Sequence, residues 1–196
     1  FVFKESRRGD TVIDRILAAT GATRLPFTPV TGSDERQFCS PGFDLPIVML
    51  SRSYPGTFSF YHTSADTPDK TPPHALAATQ NWLQRISAAL EANVRCYQRT
   101  MPYGEPMLSK HDLYHGISVR KAAGFDRVKD PRSALMWVLN MCDGTHDMAA
   151  ISERSGIDIV ALAEAGARAA AAGLLRALPD DNALLPTRIP VVARTR

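Results

Sequence analysis

The chain has 196 residues, 44% hydrophobic and 22% charged, with a formal net charge of +3 at pH 7, enough for one ordinary domain or two small ones of normal soluble composition. So small a net charge does not imply nucleic acid or acidic lipid as a partner. The three cysteines, Cys39, Cys96 and Cys142, are odd in number and far apart, which argues against a disulfide framework and a clustered thiolate metal site, and no apolar run approaches transmembrane length.

In chain order, Phe1 to Arg8 has neither an initiator Met nor a signal-peptide pattern. It reads as the end of a strand already under way, so the chain is expected to be the C-terminal part of something longer. Val2-Phe3 closes that strand. Asp10 is a candidate N-cap for a helix in which Val12, Ile13, Ile16 and Leu17 recur at helical spacing, ended by Gly21. Arg24 to Val30 reads as extended, with prolines suited to a strand end or edge. Gly32 to Pro46 is rich in Gly, Pro, Ser and Asp and is expected to be irregular. Ile47 to Leu50 is apolar without alternation, the pattern of a strand buried on both faces. Phe58, Phe60 and Tyr61 suggest another short extended segment before His62. The expectation is that the polar loop and the His-bearing segment, which flank one strand, meet in a single site.

Asp66 to Pro73 is a connector. Pro73 suits the first turn of a long helix, with Leu76, Leu83, Ile86, Leu90 and Val94 on one face and Trp82 beside it. Arg99 to Lys129 is weakly patterned and reads as a linker. From Pro131, Leu135, Val138, Leu139 and Cys142 define one helix ended by Asp143-Gly144. Asp147 caps a second, ended by Gly156, and Asp158 caps a third, running to Gly173. Leu174–Leu178 and Ala183–Leu185 around Pro179–Asn182 then read as a β-hairpin or wing. Three helices and a hairpin are the winged-helix order.

Gly32-Ser33-Asp34-Glu35-Arg36-Gln37-Phe38-Cys39-Ser40-Pro41-Gly42-Phe43-Asp44-Leu45-Pro46 and Tyr61-His62-Thr63-Ser64-Ala65-Asp66 resemble bacterial aminopeptidase-like proteins of the co-catalytic di-zinc peptidase superfamily, in which a small C-terminal winged helix follows the peptidase-like domain. Leu135 to Leu175 resembles that appendage. The resemblance implies an α/β fold: the C-terminal part of an α/β/α zinc-peptidase-like sandwich over residues 1–97, a linker over 98–130 and a winged-helix-like domain over 131–196. It implies zinc as cofactor, with His62 matching the last zinc ligand. The remaining ligands and the Glu general base lie upstream in the family pattern, and this chain does not contain those motifs, so no catalytic residue is assigned. Ser33-Asp34 matches the family's substrate-pocket loop, with Glu35 in place of the usual His or Tyr. Members often occur with genes for surface polysaccharide synthesis.

A hydrolytic zinc site needs about three protein ligands and an open position. His62 supplies a neutral imidazole, with Asp66 or a backbone carbonyl as the group that fixes its tautomer. Asp34, Glu35 and Arg36 are the candidate substrate-binding residues. Glu35 would hold a substrate amine and Arg36 a carboxylate or sugar hydroxyl, and an internal ion pair that stiffens the loop stands as the equal alternative. Cys39 has no base in sequence and reads as a buried or pocket-lining thiol. His111 and His115 are four apart, but without a convincing helix or a third ligand. The expected partner is a peptide or an amino-substituted small molecule, in a cytoplasmic protein that engages no membrane and for which a homo-oligomer is an open option.

Nucleic acid is not an expected partner. From Pro131 to Arg196 seven Arg face seven Asp and Glu, and the candidate recognition helix from Asp158 to Ala172 carries one Arg, two acids and mostly alanine, little with which to neutralise phosphates. The alternative function is a winged-helix nucleic-acid or protein-binding module on an inactive peptidase-like scaffold.

Overall fold

The computed structural model describes residues 1–54, 56–93, 96–113 and 131–179. Its described residues divide into two units between Leu90 and Glu91.

The first unit is built on a short mixed sheet of order β2-β1-β3. Strand β1 (Val2–Lys4) lies at its centre, parallel to β2 (Thr23–Leu25) with Phe3 opposite Arg24, and antiparallel to β3 (Met49–Ser51) with Phe3 opposite Leu50. Helix α1 (Val12–Ala19) makes the crossover between the parallel pair, as such a connection requires. Its cap is Thr11 rather than Asp10. Asp14, three residues on, accepts from the Thr11 backbone N–H at 3.0 Å and from its hydroxyl at 2.5 Å, and a carboxylate at that position is what stabilises this start. Phe3 on β1 and Ile16 and Leu17 on α1 are buried.

Two strand expectations are corrected. Ile47–Leu50 is not a strand buried on both faces. The ladder begins only at Met49, and β3 is half-buried at an edge of the sheet among the described residues. Pro46 has no N–H to give a ladder, and the Ile47 N–H turns back to Leu45 O at 2.8 Å. Phe58 to Tyr61 is not extended either. Tyr61 N–H bonds Phe58 O at 3.2 Å and Thr63 N–H bonds Phe60 O at 3.1 Å, so the segment is a run of turns.

Helix α2 is a single turn, Glu35–Phe38, and α3 spans Pro73–Asn93. The buried face of α3 is Ala75, Trp82, Ile86, Ala89 and Asn93, whereas Leu76 and Leu83 are 58% and 45% exposed. The expected face is therefore rotated. Trp82 stacks on Phe1 with ring centroids 4.3 Å apart and planes 13° apart, and the largest ring of the helix outweighs two leucines in setting its rotation. Arg52 secures the contact. Its guanidinium donates to Ala75 O at 2.8 Å and lies 5.1 Å from the Phe1 ring.

The second unit joins β4 (Tyr97–Arg99), α4 (Pro131–Met141), α5 (Met148–Ser155), α6 (Ile159–Ala171) and β5 (Leu175–Ala177). The three helices lie where the sequence places them. Asp147 accepts from Ala150 N–H at 2.8 Å, Asp158 accepts from Val160 N–H at 3.0 Å, and Gly156 closes α5 at φ 71°. The strand β5 pairs antiparallel with β4, with Gln98 opposite Arg176; the second arm expected for the hairpin, Ala183–Leu185, lies outside the described residues. A further bridge joins Gln98 to Asp143. The segment called a linker thus opens on a strand of the winged helix. His111 ends a 3-10 turn over Leu108–His111, and His115 lies outside the described residues.

Leu135, Val138, Leu139, Met148, Ile151, Leu162 and Ala169 form the core of this unit. A Cβ on Gly166 would stand 3.0 Å from Met148 Cε and 3.3 Å from the Tyr97 ring, so a larger residue there would require these side chains to give by a few tenths of an ångström. Cys142 is buried too, and that burial, with Cys96 and Asp143 adding, pushes its thiol up to about 12. No helix of the described residues is long and apolar enough to cross a membrane.

Asn93, at the end of α3, is buried and bridges the start of α5. It accepts from Ala149 N–H at 2.7 Å and donates to Asp147 Oδ2 at 3.2 Å. Asn93→Ala strands a buried N–H and is expected to cost about 1–3 kcal/mol, read from the urea midpoint at unchanged m-value.

Candidate functional site

Topology brings three polar segments to one end of the first unit's sheet. The parallel strands β1 and β2 run out into residues 5–11 and 26–34, and the loop from Glu35 to Val48 enters β3 opposite Lys4. The carboxyl ends of parallel strands are where α/β folds place ligands. Because β3 is antiparallel, the chain beyond Ser51 leaves from the other end. Among the described residues no hydrogen bond, ion pair or ring contact joins residues 32–46 to residues 61–66.

Within the loop the three candidate residues part company. Asp34, at the N-cap of α2, and Arg36 are exposed. Arg36 donates to Pro29 O at 3.2 Å. Glu35 is 6% exposed and turned inward. Its Oε1 lies 2.5 Å from Lys4 Nζ, and its Oε2 accepts from Ser33 N–H at 2.8 Å. Expected as a substrate contact, Glu35 instead lies in a buried ion pair, with Lys4 rather than with an Arg, which is the stiffening role held as the alternative. Burial alone would push its carboxyl up, but the Lys4 ammonium, the Ser33 amide and its own amide together hold it below the usual carboxylate range. Cys39 is buried, its thiol donating to Ile47 O at 3.3 Å, which fits a structural thiol.

His62 is exposed. Its backbone is left-handed at φ 58°, uncommon for a side chain with a Cβ. Its ring stacks on Tyr61, centroids 4.0 Å apart and planes 14° apart, and Tyr61 in turn meets Phe58 edge-on at 5.3 Å. Asp66 is exposed and bonds Thr63 O through its backbone N–H at 3.2 Å. No hydrogen bond fixes the imidazole among the described residues, so the expected tautomer-setting contact from Asp66 is not made. No group of three His, Cys, Asp or Glu able to hold a metal occurs among the described residues. A zinc site therefore has one candidate ligand here and not the set.

Residues 1–93 match the model of a family described as Domain of unknown function (DUF4910), and residues 95–177 match a winged helix-turn-helix model. A Clostridium acetobutylicum protein named as a polysaccharide biosynthesis protein with an aminopeptidase-like domain is 36% identical over 162 residues, covering 80% of this chain and 36% of that protein. A crystal structure from the same species, of a protein named as a peptidase, aligns with a TM-score of 0.74 at 31% identity, over 90% of this chain and 38% of that one. The first unit is a peptidase-like scaffold. The second is a winged helix. The chain spans little more than a third of the length of these relatives.

Two anchors of the peptidase-like scaffold escaped the sequence reading. Lys4 ends a strand that reads simply as apolar, and the one signal was a charged residue inside a Val-Phe-Lys run. Asp14 reads as a polar position of an amphipathic helix, yet it is fully buried and also accepts from Ser6 N–H at 2.8 Å and Ser6 Oγ at 2.5 Å. Nearby, Asp44 (φ 47°) takes Arg7 Nε at 3.0 Å and Arg8 Nη2 at 2.7 Å. Hydrogen bonds from Arg8 and then Arg7 hold its carboxyl below the usual range.

The Glu35 carboxyl titrates lower in the folded chain than in the unfolded one. Its stabilising contribution is thus complete above the ordinary Glu value of about 4.3 and is lost as the pH falls through the lower folded value. Glu35→Gln is expected to lose about 3 kcal/mol at pH 7 by leaving a buried ammonium without its counter-charge. The gap from the wild type should narrow on acidification below pH about 4, measured by urea denaturation across that range.

Proposed function

We propose that this chain is part of a zinc-dependent aminopeptidase-like hydrolase, with His62 as one zinc ligand and Asp34 and Arg36 facing the substrate. The observation that supports this most is the presentation of His62: an exposed imidazole in a left-handed backbone, stacked on Tyr61 and with neither nitrogen hydrogen-bonded among the described residues. Strain of this kind collects at functional positions. The likeness to one protein named for an aminopeptidase-like domain and another named as a peptidase gives the direction.

In this reading the other zinc ligands and the general base belong to the part of such proteins that the chain does not span. Zinc, when bound, lowers the pKa of its water towards neutrality and polarises the scissile carbonyl. The residues of this chain bind and orient. His62 gives a lone pair from a ring whose plane is fixed by stacking. Asp34 takes over from Glu35 the attraction of a substrate amine, and Arg36 meets a carboxylate or a sugar hydroxyl. The name of the C. acetobutylicum relative supports a link to polysaccharide synthesis, with an amino-substituted sugar precursor or a peptide as substrate.

Nucleic acid has no part in this reading. The solvent side of α6 carries Glu164, Ala167, Arg168 and Ala171, no net positive charge on the helix that would enter a groove. The winged helix is assigned an interaction or structural role.

The test is the zinc content and aminopeptidase activity of the full-length protein and of His62→Ala. The substitution is expected to lower bound zinc and to cut kcat/KM on amino-acid p-nitroanilides by about 100-fold or more. A wild type without zinc, whose behaviour the substitution leaves unaltered, sinks the assignment.

A further inference from the structure

We propose that Lys4 is the positioning residue of the substrate-facing loop: its ammonium is a fixed internal cation around which residues 27–35 are wound. The inference rests on the reading of Asp34 and Arg36 as substrate contacts and adds what holds them in place.

The ammonium donates to two carbonyls, Thr31 O at 2.6 Å and Thr28 O at 3.2 Å, and its charge is paired with Glu35 Oε1 2.5 Å away. The Phe27 ring covers it at 5.4 Å, within the reach of a cation–π contact. The Lys4 and Glu35 side chains are 4% and 5% exposed, so water contributes little and the protein groups must satisfy the charge.

The loop closes on this cation only with glycine at position 32. Gly32 has φ 130°, and a Cβ there would collide with Glu35 Oε1 and stand 2.5 Å from Lys4 Nζ. Carbonyls at 28 and 31 and a carboxylate at 35, all drawn to one point, define the path of the chain between them. Asp34 and Arg36 flank the inward Glu35, so they are left outward-facing on either side of it. Lys4 touches no substrate in this arrangement. It acts through the loop.

The experiment uses the full-length protein with two variants. Lys4→Met/Glu35→Leu removes both buried charges at once and so avoids stranding either. Gly32→Ala keeps both charges and displaces the loop from them. Three readouts separate positioning from general stability: amide hydrogen exchange, zinc content, and the division of kinetic effects between KM and kcat on leucine p-nitroanilide. Both variants are expected to speed exchange over residues 27–38 by about 100-fold while the other segments keep their protection. They should keep wild-type zinc, raise KM about tenfold and leave kcat within about twofold. Unchanged exchange over residues 27–38, or faster exchange there with KM unmoved, overturns the proposal. Failure of the parent reading appears separately, as a wild type with neither zinc nor activity. The exchange result then decides alone whether Lys4 positions the loop.

Discussion

A buried ammonium at the end of the central strand is the constraint from which the peptidase-like unit follows. Leaving such a charge unpaired costs several kcal/mol, and removing one partner of a buried pair is worse than removing both. The chain around Lys4 therefore has few choices. Glu35 must point inward, two carbonyls must face the strand end, and no side chain can stand at Gly32. Because β1 is hydrogen-bonded on both edges, the strand end that carries the cation is fixed, and the buried stem holds the ammonium near it. The loop takes its position from the sheet.

The residues after Lys4 extend the same logic. Glu5 takes Arg24 Nε at 2.6 Å and Phe27 N–H at 3.0 Å, tying the exit of β2 to β1. Ser6 gives both its N–H and its hydroxyl to Asp14, tying the start of α1. Three consecutive residues thus each hold a different segment: Lys4 the stretch from Thr28 to Glu35, Glu5 the end of β2, Ser6 the first turn of α1. The strand itself is only three residues long and would contribute little by ladder bonds alone. Its polar terminus does the organising, and it does so at the sheet end where the candidate substrate residues stand.

This explains what the sequence could and could not disclose. Helices α1, α4, α5 and α6 were legible because apolar spacing and capping residues are local signals, and Asp147, Asp158 and Gly156 act where they stand. The face of α3 was not legible. Its rotation depends on Phe1, more than seventy residues away, offering a ring to Trp82. The β4–β5 pair was missed for the same reason, since nothing near Tyr97 announces a partner at Ala177. In the candidate site, residue types were readable and directions were not. Asp34, Glu35 and Arg36 are three charges in a row, and only the distant Lys4 decides which one turns inward. The polar loop and the His-bearing segment follow one another in sequence, but β3 is antiparallel, so the chain leaves it at the end away from the loop, and only the turns from Thr57 to Asp66 set where His62 stands.

His62 is restrained by a different kind of force, and the difference bears on its role. A histidine held by a hydrogen bond has one nitrogen committed and its tautomer set. Stacking restrains the plane of the ring and leaves its edge, where Nδ1 and Nε2 lie, open. The Tyr61 stack, in series with the edge-on contact to Phe58, orients the imidazole without using either lone pair. The left-handed backbone carries a cost of order 1 kcal/mol, and the turns from Thr57 to Thr63, closed by their own i to i+3 bonds, offset it locally. A side chain that served only to tie its loop together would spend its nitrogens on that loop. One whose plane is fixed by its neighbour's ring and whose nitrogens are free is suited to a bond with something outside the loop.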